Sequence, residues 1–170
     1  MIGSSNCYTQ SYFADYMGTN LTNGTYVYRL KNALNELKNP NKASYWVYTK
    51  LPSNETDAAN ALYSYVKSDV TNYDQALAFH TDTWLQAGKD VWGEAYGLVG
   101  YRDPQTGQAG VSLGHYVTGY GYRLYSDGKH TILYADSWNH DYGWGNCLGY
   151  HEVDARNMAT CINGNAGYII

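Results

Sequence analysis

Apolar residues follow a helical period in the first third of the chain. Val27, Leu30 and Leu34 form the clearest stripe, with apolar side chains three or four residues apart on one helix face. Asn39-Pro40 ends this segment, as expected for a helix terminus. The same spacing predicts helices over 7–17, 25–37 and 53–70.

Most of the later chain has the pattern of strands. Between two such runs, Asp127-Gly128 is typical of a tight hairpin turn. We expect a long loop with little regular structure over 85–112. No repeat or linker divides the sequence, which predicts one domain over 1–170 of the α+β class, with N-terminal helices packed on a C-terminal antiparallel sheet. The predicted strands are 45–51, 75–84, 114–125, 130–138, 147–153 and 166–170, with a short helix over 153–162.

Composition narrows the range of partners. The 170 residues are 44% hydrophobic and 15% charged, which is typical of a globular chain. The net charge is −4 and the Lys and Arg residues are scattered, so we expect no nucleic acid partner. No apolar run reaches the roughly 20 residues of a membrane span, so we expect no transmembrane helix. The residues before "GSSN" do not have the pattern of a signal peptide. The chain has 20 Tyr and only 2 Phe, and a composition this rich in tyrosine is common in secreted microbial proteins. We therefore expect a bacterial protein that is secreted or on the cell surface. We also expect a monomer.

The chain has three cysteines, and their spacing leaves two interpretations open. Cys147 and Cys161 are 14 residues apart and flank a turn-rich segment, so they could form a disulfide. Cys7 would then be a single thiol with a chemical role. In the other interpretation all three are buried thiols.

Cys7 lies at the start of the first predicted helix. The unpaired N–H groups and the positive dipole end at a helix N-terminus favour a thiolate, and the same N–H groups can stabilise an oxyanion. His115 begins one strand of the predicted hairpin, and a histidine beside a thiol can take its proton. Each residue alone is more often structural. His80, on the preceding predicted strand, is interpreted as a packing residue.

Register predicts that His115 and a carboxylate lie close together. If the hairpin closes through the four residues 126–129, the residue numbers of any two paired residues add up to about 255. His115 then faces a position near 140, and Asp136 to Asn139 lie within one or two pairs of it. A carboxylate there can accept the second imidazole N–H and fix the ring, and Asn139 could do so less strongly.

The order Cys, His, Asp resembles papain-like cysteine peptidases, and in particular the C39-like peptidase family of secreted bacterial proteins. The stretch "NCYTQSYFADYMGTNLTNGTYVYRLKNALN" is similar to the family's opening, and "LYSYVKSDVTNYDQALAF" to its helix and strand before the active-site hairpin. "GHYVTGYGYR" and "TILYADS" are similar to its His and Asp strands. The resemblance covers most of the chain, and is strongest over 113–137 and weakest over 85–112.

The resemblance implies a peptidase that acts through a thioester intermediate on a peptide or protein substrate, with no cofactor and no metal. It implies Cys7 as the nucleophile, His115 as general base and acid, and Asp136 as the orienting carboxylate. Met1 stands where family members usually have an oxyanion-binding glutamine. Three explanations stay open: the sequence starts too late to include the glutamine, Asn6 or a backbone N–H replaces it, or the oxyanion hole is impaired. Tyr8-Thr9 replaces a common Gly-Pro.

Two other functions remain open at the level of sequence. A catalytically weak relative could bind peptide or glycan in the same cleft as a surface module. The same triad could also serve a cell-wall amidase or transpeptidase, because only the acceptor of the acyl group differs. A binding module needs no reactive Cys7, whereas both enzymes do.

Overall fold

The computed structural model describes residues 10–19, 25–38, 47–89, 95–98, 114–137 and 148–170. Its helices and antiparallel strands confirm the α+β class. The chain divides into two compact units. Unit 1 is Met1–Thr49 with Ile170, and unit 2 is Lys50–Ile169. The helices are α1 (Gln10–Met17), α2 (Val27–Lys38), α3 (Glu55–Tyr73) and α4 (Ala155–Gly164). The strands are β1 (Thr49–Lys50), β2 (Leu77–Asp82), β3 (Trp84–Lys89), β4 (Ala95–Gly97), β5 (Gly114–Leu124), β6 (His130–Asp136), β7 (Gly149–Asp154) and β8 (Tyr168–Ile169).

Unit 1 contains α1 and α2. Gly18 ends α1 in the left-handed conformation, with φ of +59°, and the Thr19 N–H donates to the Ala14 carbonyl at 2.8 Å. The Arg29 guanidinium of α2 donates to the last carbonyls of this turn, Met17 O at 3.1 Å and Gly18 O at 3.0 Å. These bonds fasten the end of α1 to α2.

Unit 2 is built on a sheet in which four longer antiparallel strands have the order β2-β5-β6-β7. The short β8 pairs with β2 at Phe79–Ile169, and Lys50 of β1 lies at the β8 edge. β3 and β4 form a separate two-stranded pair inside the segment expected to be mainly loop. Its β4 end is held by the Asn157 side chain, which accepts the Gly97 N–H at 2.9 Å.

Helices α3 and α4 cover one side of this sheet, here called the inner face. Ala58, Leu62 and Val66 recur at four-residue steps along α3 and are fully buried, so the helix predicted over 53–70 has its apolar stripe in the core. They pack in one core with apolar residues of α4 and the strands, among them Phe79, Ile132, Tyr134, Met158 and Ile162. Asn54 caps α3, because its side chain accepts the Asp57 N–H at 3.1 Å. The cap lies one residue after Ser53, where the sequence predicted the helix to start.

The hairpin between β5 and β6 has a shorter turn than the predicted one. Tyr125 N–H donates to Lys129 O at 2.9 Å, and Gly128, with φ of +87°, donates to Tyr125 O at 2.9 Å. The loop is therefore three residues long, and Leu124 pairs with His130, so that paired positions sum to 254 (124 + 130) rather than 255.

A β-bulge then shifts the register by one more residue. Gly121 pairs with Leu133, but Gly119 pairs with Tyr134, so Tyr120 is the extra residue on β5. Beyond the bulge the sum is 253 (119 + 134). The predicted register was therefore wrong by two residues at the His115 end, because of the three-residue turn and the bulge.

Candidate active site

His115 and Asp136 are hydrogen-bonded to each other, in agreement with the closeness predicted from the hairpin. The distance from His115 Nε2 to Asp136 Oδ1 is 2.8 Å. The Asp136 side chain is completely buried, whereas 12% of the His115 side chain is exposed to solvent. A buried carboxylate thus holds an imidazole that solvent still reaches. The arrangement combines a fixed ring with access from outside.

Both side chains point to the inner face. On β6, Ile132 and Tyr134 are buried in the core, and Asp136 follows them at the two-residue period of a strand. On β5, His115 lies two residues before the buried Val117. Ala135 pairs with Thr118, so Asp136 lies level with Val117, and its carboxylate reaches His115 as a diagonal neighbour.

The bulge at Tyr120 is what gives His115 this direction. Further along β5, Tyr122 packs edge-on against Tyr63 of α3, with ring centroids 5.4 Å apart, so it points to the inner face. His115 and Tyr122 are seven positions apart, and an odd spacing in a regular strand would place them on opposite faces. The extra residue reverses the alternation once, and so turns His115 toward Asp136.

Thr81 is a third residue of this site. It lies opposite His115 in the pairing of β2 with β5, is fully buried, and donates its hydroxyl to the His115 carbonyl at 3.0 Å. Sequence reasoning missed it, because nothing separates one strand threonine from another until the register is known. Thr81, His115 and Asp136 therefore lie on three neighbouring strands at one end of the sheet.

The geometry fixes which imidazole nitrogen has which role. An ionised carboxylate only accepts hydrogen bonds, so the Nε2 that faces Asp136 carries a proton. Nδ1 is then the ring nitrogen that can take a proton from a nucleophile, and the carboxylate compensates the charge of the resulting imidazolium. This is the chemistry of a base and its orienting residue.

His80 is a second histidine at the same end of the sheet, on the opposite, outer face. Its ring stacks on Tyr116 with centroids 4.5 Å apart and planes 18° apart. Its Nε2 lies 3.0 Å from the Asn165 amide nitrogen, and its Nδ1 is buried with no hydrogen-bond partner among the described residues. Burial lowers the pKa of His80 from 6.5 and raises the pKa of Tyr116.

The Asn165 amide nitrogen also donates to the Thr81 carbonyl at 2.9 Å, which identifies it as the nitrogen and not the oxygen. His80 Nε2 is therefore the acceptor of the Asn165 bond, and the His80 proton is on Nδ1. A neutral ring fits this environment. His80 is a packing residue, as interpreted from the sequence, and it has the specific partner Asn165.

Several predicted site residues lie outside the described residues: Asn6, Cys7, Asn139 and Cys147. Their roles stay predictions. Cys161 is described, and it has no exposed surface; its Sγ lies 3.5 Å from Asn157 Oδ1. Its position on the core side of α4 explains why it is packed as an apolar residue. The disulfide between Cys147 and Cys161 that the sequence left open stays a prediction.

The described residues contain no group of three or more His, Cys, Asp or Glu placed to hold a metal ion. Among the same residues, no helix is both long enough and apolar enough to cross a membrane.

No family model matches the sequence, and no curated protein matches it either. The comparisons therefore assign the chain to no class of protein. The His115–Asp136 pair and its surroundings are the features of the chain that indicate its chemistry.

Proposed function

We propose that the chain is a cysteine peptidase with a papain-like fold of the C39-like type, in which Cys7, His115 and Asp136 form the catalytic triad. The observation that carries the proposal is the 2.8 Å hydrogen bond between a partly exposed imidazole and a fully buried carboxylate on neighbouring strands. The packing of the N-terminal helices on the sheet belongs to the same proposal. The substrate is a peptide or protein.

The reaction follows from the nitrogen assigned to each role. His115 Nδ1 takes the proton of the Cys7 thiol, and the thiolate sulfur bonds to the substrate carbonyl carbon. The oxyanion is stabilised by backbone N–H groups at the predicted helix start and by Asn6. His115 then returns the proton to the leaving amine as the C–N bond breaks. A water molecule, deprotonated by His115, hydrolyses the thioester and releases the acid. Asn139 is the auxiliary residue that the sequence predicted.

The buried carboxylate supports a catalytic role because its position is costly without a partner. A fully buried carboxylate that is not paired or hydrogen-bonded destabilises a fold by several kcal/mol, roughly. Asp136 is satisfied in part by a histidine that remains 12% exposed, so its burial also fixes a group at the surface. The pair therefore keeps an accessible imidazole at a fixed position, as a general base requires.

Alkylation of Cys7 by iodoacetamide tests the proposal. A thiol beside a base reacts quickly at about pH 5–7, where an ordinary thiol is almost entirely protonated. We expect fast single labelling of wild type in this range, located at Cys7 by peptide mass, and loss of that labelling in His115→Ala. Cleavage of a mixture of peptides, followed by mass spectrometry, gives the activity itself.

His130→Ala is the matched control, because this partly buried histidine lies at the opposite end of β6 from Asp136 and stacks on Tyr63, with ring centroids 4.0 Å apart. Its labelling should equal that of wild type. Cys7→Ser should abolish both labelling and cleavage. Labelling of wild type and His115→Ala that is equally slow and follows an ordinary thiol titration would refute the proposal.

The exposed tyrosines favour one alternative, a binding module for peptide or glycan. Tyr150 is 80% exposed and meets Tyr120 edge-on, with ring centroids 5.5 Å apart. Such rings can stack on sugars or apolar side chains. This function does not need a reactive thiol, so the Cys7 experiment separates it from the peptidase. A cell-wall amidase or transpeptidase would share the labelling and would differ in the acceptor found by mass.

A further inference from the structure

We propose that Thr81 is a positioning residue for His115: its hydroxyl fixes the His115 backbone and so holds the imidazole at the Asp136 carboxylate. An effect of Thr81 on catalysis rests on the proposed peptidase function. An effect of Thr81 on the His115–Asp136 hydrogen bond is independent of that function. No pattern in the sequence singles out Thr81.

His115 lies near an end of its strand. β5 begins at Gly114, and the first pair of its register with β6 is Thr118–Ala135, three residues beyond His115. Residues near a strand end move more readily than residues inside the ladder. A further constraint on the His115 backbone is therefore effective at this position.

The Thr81 hydroxyl provides such a constraint. It donates to His115 O at 3.0 Å from a side chain with no exposed surface. Residues directly opposite each other in an antiparallel pair point to the same face, so Thr81 flanks His115 on the inner face. The bond joins the buried β2 strand to the end of β5 that carries the imidazole.

Asn165 braces the same position from the α4 side. Its amide nitrogen donates to the Thr81 carbonyl at 2.9 Å and lies 2.9 Å from the point where a Cβ on Gly114 would be. The same amide group thus bonds to the residue opposite His115 and occupies the space beside the residue before it. Thr81 is held by its carbonyl while its hydroxyl holds His115.

Small movements matter at such a pair. A displacement of about 1 Å in a catalytic group can reduce a rate by about a hundredfold. A hydrogen bond that restricts the His115 backbone therefore affects the chemistry without touching substrate. Removal of the Thr81 hydroxyl should lower the rate at which Cys7 is activated while leaving the fold intact.

The test compares Thr81→Val, which keeps the shape and removes the hydroxyl, with Thr81→Ser, which keeps the hydroxyl. Thr131→Val is the matched control, because Thr131 is an equally buried strand threonine whose hydroxyl donates to Glu152 at the far end of the hairpin. Two readouts are used. One is the Cys7 alkylation rate from about pH 5 to pH 9. The other is the proton NMR signal of the His115 Nε2–H bonded to Asp136.

In Thr81→Val we expect alkylation at about pH 6 to fall about tenfold or more, and the bonded-proton signal to broaden or disappear. Thr81→Ser should restore most of both, and Thr131→Val should change neither. Wild-type values in Thr81→Val, with a folded protein by circular dichroism, would overturn the inference. If Thr81→Val does not fold, Thr81→Ala is compared with Thr81→Ser in the same way.

The two proposals fail separately. If wild-type Cys7 reacts as an ordinary thiol, the peptidase function is wrong, and the NMR signal still decides the role of Thr81. Loss of that signal in Thr81→Val would support positioning of the pair, and its persistence would overturn it. If wild-type Cys7 is reactive and Thr81→Val is equally reactive with an unchanged signal, only the role of Thr81 is wrong.

Discussion

His80 and His115 lie on neighbouring strands, one residue apart in register, yet their surroundings assign them opposite chemistry. His115 is on the inner face, where its Nε2 donates to the Asp136 carboxylate. His80 is on the outer face, where its Nε2 accepts from the Asn165 amide. The two rings therefore have partners of opposite hydrogen-bonding character, and the second ring is held neutral.

The difference between the two histidines shows that burial and the hydrogen-bond partner together determine where an imidazole ring carries its protons. His80 is desolvated and receives no compensating negative charge from Asn165, so burial lowers its pKa. If it were protonated at Nε2, two donors would face each other across 3.0 Å. His115 avoids this conflict because a carboxylate only accepts. Exchanging the partner of either ring should therefore change its protonation.

The largest effect is expected from Asp136→Asn, which gives His115 an amide partner like that of His80. The amide can present a donor to Nε2 and favour the wrong tautomer, and a carboxylate no longer compensates the imidazolium. We expect peptide cleavage to fall by about 10²–10⁴-fold. The measurement is kcat/KM on the peptide that wild type cleaves best.

Asp127→Asn in the hairpin turn is the control, since this carboxylate is exposed and pairs only locally with Lys129 among the contacts described. It should retain wild-type cleavage. Equal activity in Asp136→Asn and wild type would remove Asp136 from the mechanism.

The reciprocal change, Asn165→Asp, gives His80 a carboxylate. A negative charge at hydrogen-bonding distance from Nε2 favours the imidazolium, so the pKa of His80 should rise. The measurement is an NMR titration of the His80 ring protons. Asn165→Ala removes the amide without adding charge, so it separates the effect of the charge from loss of the bond. A His80 pKa that is the same in both variants would contradict the contrast between the two histidines.

A smaller effect is expected in the pH dependence of stability. The pKa of His80 is lower in the folded chain than its ordinary 6.5, so below about pH 6.5 the unfolded chain binds the proton first. The free energy of unfolding should therefore fall as pH decreases from about 6.5 toward the folded pKa. Because the ring is partly exposed, the slope should be well below the limit of about 1.4 kcal/mol per pH unit.

Urea unfolding at several pH values measures this slope. His80→Phe keeps a ring to stack on Tyr116 but cannot bind a proton, so its slope over the same range should be smaller than that of wild type. An identical slope in the two proteins would assign the pH dependence to other groups.

The smallest effect is expected from Gly114→Ala. The new Cβ would lie 2.9 Å from the Asn165 amide nitrogen, so that side chain must shift and its bonds to His80 and Thr81 weaken. We expect a loss of about 0.5–1 kcal/mol in the free energy of unfolding. In an Asn165→Ala background the same substitution should cost less, and an equal cost in both backgrounds would contradict the contact.

The sequence predicted the elements that carry local signals. The α3 stripe, the β5–β6 hairpin and the closeness of His115 and Asp136 follow from spacing and turn residues. The register did not follow, because the bulge lies in the run Gly119-Tyr120-Gly121, where no apolar side chain marks the change of face, and because turn residues do not fix the length of the turn. Asn165 could not be predicted as a partner of Thr81 and His80, because about 85 residues separate them and only the α4–β2 packing joins them.

The bulge at Tyr120 also limits how the length of β5 can change. Because side chains alternate, removing one residue between Gly119 and the hairpin turn would turn His115 and Val117 to the outer face and bring Tyr116 and Thr118 inward. Removing two would restore the original faces. For a lineage that keeps the His115–Asp136 pair, insertions and deletions in this part of the strand are compatible with the site only in even numbers.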